Sequence, residues 1–121
     1  MQYDIFVYNE LETLNRTQDD QLPDLNFQIR DLKTAEEIDL TGYNVDLTMR
    51  KIGATGIAKI NRKDCIPIDI LVGKFKYEFM PEDVNDYGTF EIEISLKDNN
   101  DKRKTIAKRL VMNIRKNLTI G

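Results

Sequence analysis

A strict period of two between Phe90 and Lys97 constrains this chain more than any other feature. Phe90, Ile92, Ile94 and Leu96 fall on one side of the run, and Glu91, Glu93, Ser95 and Lys97 on the other. Successive side chains of an extended chain point to opposite faces, so the run reads as a strand with one face in a core and one in water. The pattern recurs three times. Phe75, Tyr77 and Phe79 alternate with Lys74, Lys76 and Glu78. Val45, Leu47 and Met49 alternate with Asn44, Asp46, Thr48 and Arg50, and Leu25, Phe27 and Ile29 with Asn26, Gln28 and Arg30. Weaker β-rich runs cover Tyr3 to Tyr8, 57–60 and 65–70. Pro67 places the last of these at an edge or a bulge, because proline donates nothing to a ladder. A long final strand is expected over 105–114, with Ile106, Leu110, Met112 and Ile114 on one face and Lys108 interrupting it.

Turn chemistry separates these runs. Asp39-Leu40-Thr41-Gly42 precedes one strand, Gly53 and Gly56 bracket a loop, and Gly73 opens the Phe75 strand. Asp98-Asn99-Asn100-Asp101-Lys102 reads as the loop of a final hairpin. Pro81-Glu82-Asp83-Val84 reads as a helical turn, with proline near its start and carboxylates where the helix dipole favours them. No amphipathic helix of useful length is expected. Seven to eight short strands with turns between them imply an all-β, antiparallel, immunoglobulin-like β-sandwich, one domain over residues 1–121. Asp86-Tyr87-Gly88-Thr89-Phe90 resembles the Asp-x-Gly-x-Tyr corner of immunoglobulin domains, with two departures. Phe90 has no hydroxyl for the corner hydrogen bond, and Ile92 stands where the second disulfide cysteine would be. The polar segment 9–24 reads as a long connecting loop, with a partner-binding arm as the alternative.

Composition then limits the chemistry. The 121 residues include no histidine, no tryptophan, one serine and one cysteine. That removes the Ser-His-Asp triad, the Cys-His dyad, imidazole metal ligands and any internal disulfide. No apolar run approaches the ~20 residues that span a membrane, and Met1-Gln2-Tyr3-Asp4 lacks the basic and apolar regions of a signal peptide. The expectation is a soluble, non-enzymatic chain made in a reducing compartment, with no cofactor, no metal and no membrane or nucleic-acid partner. Glu82, Asp83 and Asp86 read as capping or solvated carboxylates rather than a cation site, and Asp98–Asp101 lacks the glycine and distant glutamate of a calcium loop. Cys65 reads as a buried, inert thiol.

Charge is segregated along the chain. Residues 1–101 carry 11 basic and 21 acidic side chains, a net of −10, while residues 102–121 carry seven basic and none acidic. One reading is internal neutralisation: with Asn99–Arg103 as the loop, Glu93 faces Arg109 and Asp98 faces Lys104 across the hairpin. The other is a patch that docks a complementary protein surface. Nucleic acid is disfavoured by the acidic pI of about 5.0, and no aromatic residue is interleaved with the basic ones as a stacking platform. The candidate interaction residues are Tyr3, Tyr8, Tyr43, Lys102, Arg103, Lys104, Arg109, Arg115 and Lys116.

The order of the segments resembles a known group. Leu25–Asp31, Ile38-Asp39-Leu40-Thr41-Gly42, Val45–Lys51, Lys59–Cys65, Gly73–Tyr77, Glu82-Asp83 and Tyr87–Glu93 follow the pattern of phage virion proteins of the baseplate upper protein type, in their N-terminal domain. The resemblance runs from about Leu22 to Ile114. It implies a tail or baseplate structural protein of the virion, synthesised in the bacterial host cytoplasm, that acts as an assembly adaptor. It also implies docking to other tail or baseplate proteins, as a homo-oligomer in the virion. The chain would be either a stand-alone small virion protein or only the attachment domain. A carbohydrate-binding or host-adhesion module is the alternative, and would use Tyr3, Phe6, Tyr8, Tyr43 or Tyr87.

Overall fold

A computed structural model describes residues 5–8, 13–56, 58–106 and 109–119, with Tyr8 and Thr13 described in their backbone only. The alternating runs become the central strands of two sheets. One sheet has the order β1 (Ile5–Tyr8), β3 (Leu25–Asp31), β7 (Lys74–Tyr77), β6 (Ile66–Asp69). The other runs β2 (Thr13–Thr17), β10 (Leu110–Arg115), β8 (Gly88–Lys97), β4 (Asn44–Lys51), β5 (Ile60–Asp64), and β9 (Arg103–Thr105) also pairs with β8. The chain is an all-β sandwich without a disulfide.

Register shows why the period of two is decisive. Across β4 and β8, Val45 lies opposite Leu96, Leu47 opposite Ile94 and Met49 opposite Ile92, while Arg50 meets Glu91 on the other face. The six apolar side chains of those pairs are buried and join Leu25, Phe27, Ile29, Phe75, Tyr77 and Phe90 in one core. Each such burial stabilises by roughly 1.5–3 kcal/mol, and a one-residue slip would turn the whole set outward. Ile106, Leu110, Met112 and Ile114 are buried together as expected.

Four features differ from the sequence reading. The segment 9–24 is not irregular throughout, because β2 lies within it and pairs with β10 in parallel. That pair departs from the antiparallel expectation, and β2 escaped notice because Thr13-Leu14-Asn15-Arg16-Thr17 has no alternation of its own. The strand expected at 57–60 lies at Ile60–Asp64, where every residue after Ile60 is exposed. Backbone pairing to β4 holds it. The final strand is broken into β9 and β10. From Ile92 to Ser95, β8 advances three residues, while its partners use five between Thr105 and Leu110. The hairpin loop is Asp98–Lys102, as its turn residues imply, and not the Asn99–Arg103 on which the Asp98–Lys104 pairing rests; the Asp98 N–H donates to the Lys102 carbonyl at 3.0 Å. Leu96, not Asp98, therefore lies opposite Lys104.

The connections carry their own locks. Residues 60–69 leave one sheet and enter the other at Cys65, whose N–H donates to the Val45 carbonyl at 2.8 Å. Pro67 sits on the edge strand β6, where the register slips between Pro67 and Asp69. At Asp39-Leu40-Thr41-Gly42, the Asp39 carboxylate accepts from the Thr41 N–H and hydroxyl at 2.9 and 2.6 Å, and Leu40 is buried. Pro81–Asp83 forms a 3-10 turn.

Candidate interaction surfaces

The expected basic patch does not form as one surface. Opposite ends of the broken final strand hold its members. Arg103 pairs with β8 at Lys97, and Ile114 pairs with β8 at Gly88. At a rise of about 3.3 Å per residue, those positions lie about 30 Å apart.

On the outward face of the larger sheet, carboxylates match the cations. Arg103 Nη1 donates to Asp46 Oδ2 at 2.6 Å, with only 8% of the Asp46 side chain exposed. This contact offsets a like-charge pair, because Asp46 lies directly opposite Asp64 on β5. Arg109 Nη1 reaches Glu91 Oε2 at 2.7 Å, and its Nε reaches Glu93 at 3.3 Å. Hydrogen bonding to Glu91 leads the causes that raise the Arg109 pKa. The Glu93–Arg109 contact expected from the sequence is thus present. Lys97 pairs with Asp101 at 3.2 Å across the hairpin turn, and Lys102 and Lys104 are exposed.

The other end of the sheet is built differently. Tyr87 is 46% exposed, and Lys51 Nζ and Lys116 Nζ each lie 5.8 Å from its ring centroid. Lys51 also pairs with Asp86 at 3.3 Å, and Lys59 donates to the Asn85 side chain. Arg115 donates to the Thr17 hydroxyl at 2.8 Å, and Arg50 to the Gly56 carbonyl at 2.5 Å. Gly88 permits this packing. Its φ is +135°, and a Cβ there would lie 2.7 Å from Lys51 Cε. The expectation that no aromatic stands among the basic residues is overturned here. Lys51 and Lys116 are 65 positions apart in sequence (116 − 51) and meet at one ring.

Of the remaining candidates, Tyr3 and the Tyr8 side chain lie outside the described residues. Tyr43 is half-buried and packs against the core, and Phe6 is half-buried on β1. Arg16, which the sequence reading passed over, fastens the 18–24 segment. Its guanidinium donates to the Asp20 carbonyl at 3.0 Å and the Pro23 carbonyl at 2.5 Å, and stacks 4.1 Å from the Phe79 ring. Burial lowers its pKa, against the pull of Asp20 and Asp24. A cleft of 420 Å³ remains beside it, between β2, β10 and Leu22-Pro23.

The acidic residues weighed as a cation site have separate structural tasks. Asp83 is fully buried, and its Oδ2 accepts from the Tyr77 hydroxyl at 2.7 Å and the Met80 N–H at 2.9 Å. Lys63 Nζ lies 4.0 Å from the other oxygen. Tyr77–Asp83 thus ties β7 to the turn leading into β8, near the corner where Phe90 offers no hydroxyl. Burial, then the Asp83 hydrogen bond, pushes the Tyr77 phenol far above its ordinary range. Among the described residues, no group of three or more histidine, cysteine or carboxylate side chains is placed to hold a metal ion. Cys65 is buried, and desolvation, followed by Asp46 and Asp64, pushes its thiol up to about 12.

Comparison with known proteins decides the family. The model of the BppU N-terminal domain matches residues 8–121. The chain belongs to the BppU N-terminal domain family. It is therefore a structural domain of the phage baseplate, from a non-enzymatic family, and its place is in the virion baseplate beside other baseplate proteins. A search of curated proteins returns no match. Among solved structures, one of murine CRIg is similar at 11% identity and a TM-score of 0.39, covering 93% of this chain and 98% of that one.

Proposed function

We propose that this BppU-type domain is an assembly adaptor that docks neighbouring tail or baseplate proteins and works as a homo-oligomer in the virion. The family match over residues 8–121 carries the reading. The architecture supports it. A rigid sandwich holds its polar groups in structural bonds and leaves side chains on its outer surfaces for contact. The outermost strands among the described residues, β1, β6, β2 and β5, are short, irregular or strongly polar. Such edges resist indiscriminate strand pairing, which leaves side-chain surfaces as the means of specific docking.

Two measurements test this. Mass spectrometry of purified particles of the encoding phage is expected to find the chain at a fixed ratio to other baseplate proteins. Light scattering coupled to size exclusion is expected to show an oligomer, alone or with a baseplate neighbour. A chain absent from the particles overturns the proposal.

A further inference from the structure

The charged surfaces differ in how fully they satisfy themselves, and the Tyr87 end is the one left with capacity to bind. Contacts link Lys59, Asn85, Asp86, Lys51, Tyr87 and Lys116 into one continuous surface. Of its three lysines, only Lys51 meets a carboxylate among the described residues. Lys59 meets an amide and Lys116 an aromatic face. Arg50 and Arg115 adjoin them, bonded to a carbonyl and a hydroxyl. A small cleft of 160 Å³ lies within this surface, lined in part by Arg50, Lys51, Lys59 and Asp86.

The local sequence deepens the field. Residues 47–63 hold five basic side chains and no acidic one, in a chain whose net charge is −3. From that run Lys51 meets Lys116 at the Tyr87 ring, while Lys63 lies 3.9 Å from Glu82 and takes no part in the surface. Asp19 and Asp20 bound the surface on one side, where the Asp19 N–H donates to the Val84 carbonyl.

We propose that the Tyr87 end, with Lys51, Lys59 and Lys116, docks an acidic surface of a neighbouring baseplate protein. This rests on the adaptor reading and names the surface and the chemistry of the partner. Tyrosine is a favoured anchor at interfaces, where its ring supplies apolar area and its hydroxyl a hydrogen bond. The lysines supply charge complementarity and speed encounter. One exposed ring in a patch bounded by acids suits a cluster of carboxylates. A phosphate backbone needs a longer basic track and successive rings. The pairing of Lys51 with Asp86 and the glycine at 88 hold the tyrosine–lysine arrangement ready before a partner arrives.

The test is fluorescence anisotropy with the full chain, using a labelled decaglutamate peptide and a labelled single-stranded DNA of the same length at low salt. Wild type is expected to bind the peptide more tightly than the DNA. Lys59→Glu with Lys116→Glu should weaken peptide binding about tenfold or more, and Tyr87→Ala severalfold. A matched double reversal away from this surface, Lys33→Glu in the turn after β3 with Lys74→Glu on β7, should leave it unchanged. Circular dichroism melts check that each variant folds, and the exposed single change Lys116→Gln serves if the double variant does not. Equal loss in the Lys33/Lys74 control, no peptide binding by wild type, or tighter binding to DNA overturns the proposal. In the encoding phage, normal incorporation of the Lys59→Glu, Lys116→Glu chain overturns this surface and leaves the adaptor reading standing. Absence of the wild-type chain from particles overturns the adaptor reading itself.

Discussion

The outward face of the larger sheet and its Tyr87 end carry the same kinds of charge in different company. On the face, Arg103 and Arg109 meet Asp46, Glu91 and Glu93 within hydrogen-bond reach. At the end, Lys59 and Lys116 meet an amide and a ring. Matched charges hold strands together and have little left for a partner. Charges without a carboxylate neighbour keep their field for whatever approaches. A basic tail in the sequence is therefore not a basic patch in space. The run of β9 and β10 along β8 divides it between the two settings.

Removing the supports of each region sharpens that contrast. The largest effect is expected at the turn beside the Tyr87 end. Asp83→Ala leaves the Tyr77 hydroxyl and the Met80 N–H without their acceptor in a buried site, and should cost about 3 kcal/mol in urea unfolding. A loss below about 1 kcal/mol would show that the corner does not depend on this lock. On the matched face, Arg103→Ala strands Asp46 opposite Asp64. It should cost about 2 kcal/mol, since Asp46 is almost wholly buried. Arg103→Ala with Asp46→Asn should recover part of that loss.

Cys65 sets an alkaline limit at the sheet crossing. Its pKa is raised on folding, from an ordinary 9.0 to about 12. The native state therefore holds the thiol proton more tightly than the unfolded chain does. Stability from this group is complete below the unfolded pKa, and is lost as pH rises from about 9 toward about 12. Stability should already have fallen by about 1 kcal/mol at pH 10. Cys65→Val should flatten the first part of that slope, and an unchanged slope would reject the assignment. Tyr77 titrates in the same sense at still higher pH.

Gly88→Ala probes the end more gently. The substituted residue would sit at φ +135° against Lys51, costing about 1–2 kcal/mol. It should also shift the Tyr87 ring resonances in NMR as Lys51 moves away. The smallest effect belongs to Arg109→Ala. Its partners are solvent-accessible, so the change in melting temperature should be slight at low salt and vanish in 1 M salt. A large, salt-independent drop would mean that the matched face is a structural core feature rather than a screened surface.

Much of this was legible in the sequence because it depends on local periodicity. The runs around Phe27, Leu47, Phe75 and Ile92 alternate, and burial of alternate residues follows directly. The Asp39–Gly42 turn, the Pro81–Asp83 turn, the edge position of Pro67 and the inert thiol are also local consequences of residue type. The polar strands β2 and β5 were hidden because backbone pairing to distant segments makes them strands, with almost no apolar pattern to announce it. Arg16 was hidden for a related reason. Its partners are two carbonyls and a ring more than sixty residues away (79 − 16 = 63).

The sequence by itself determined an all-β sandwich without disulfide or histidine chemistry, and segment order already resembled the baseplate family. Periodicity is a property of neighbours along the chain, so it survives without coordinates. Which charges meet was decided by tertiary structure alone. A two-residue excess between Thr105 and Leu110 kept Arg109 on Glu93, while a loop set one position earlier put Leu96 opposite Lys104. The β4–β5 hairpin brought Lys51 to a tyrosine that Lys116 also reaches. Coulomb interactions fall with distance in space and take no account of distance in sequence. Only the fold could say which half of the basic tail was already spoken for.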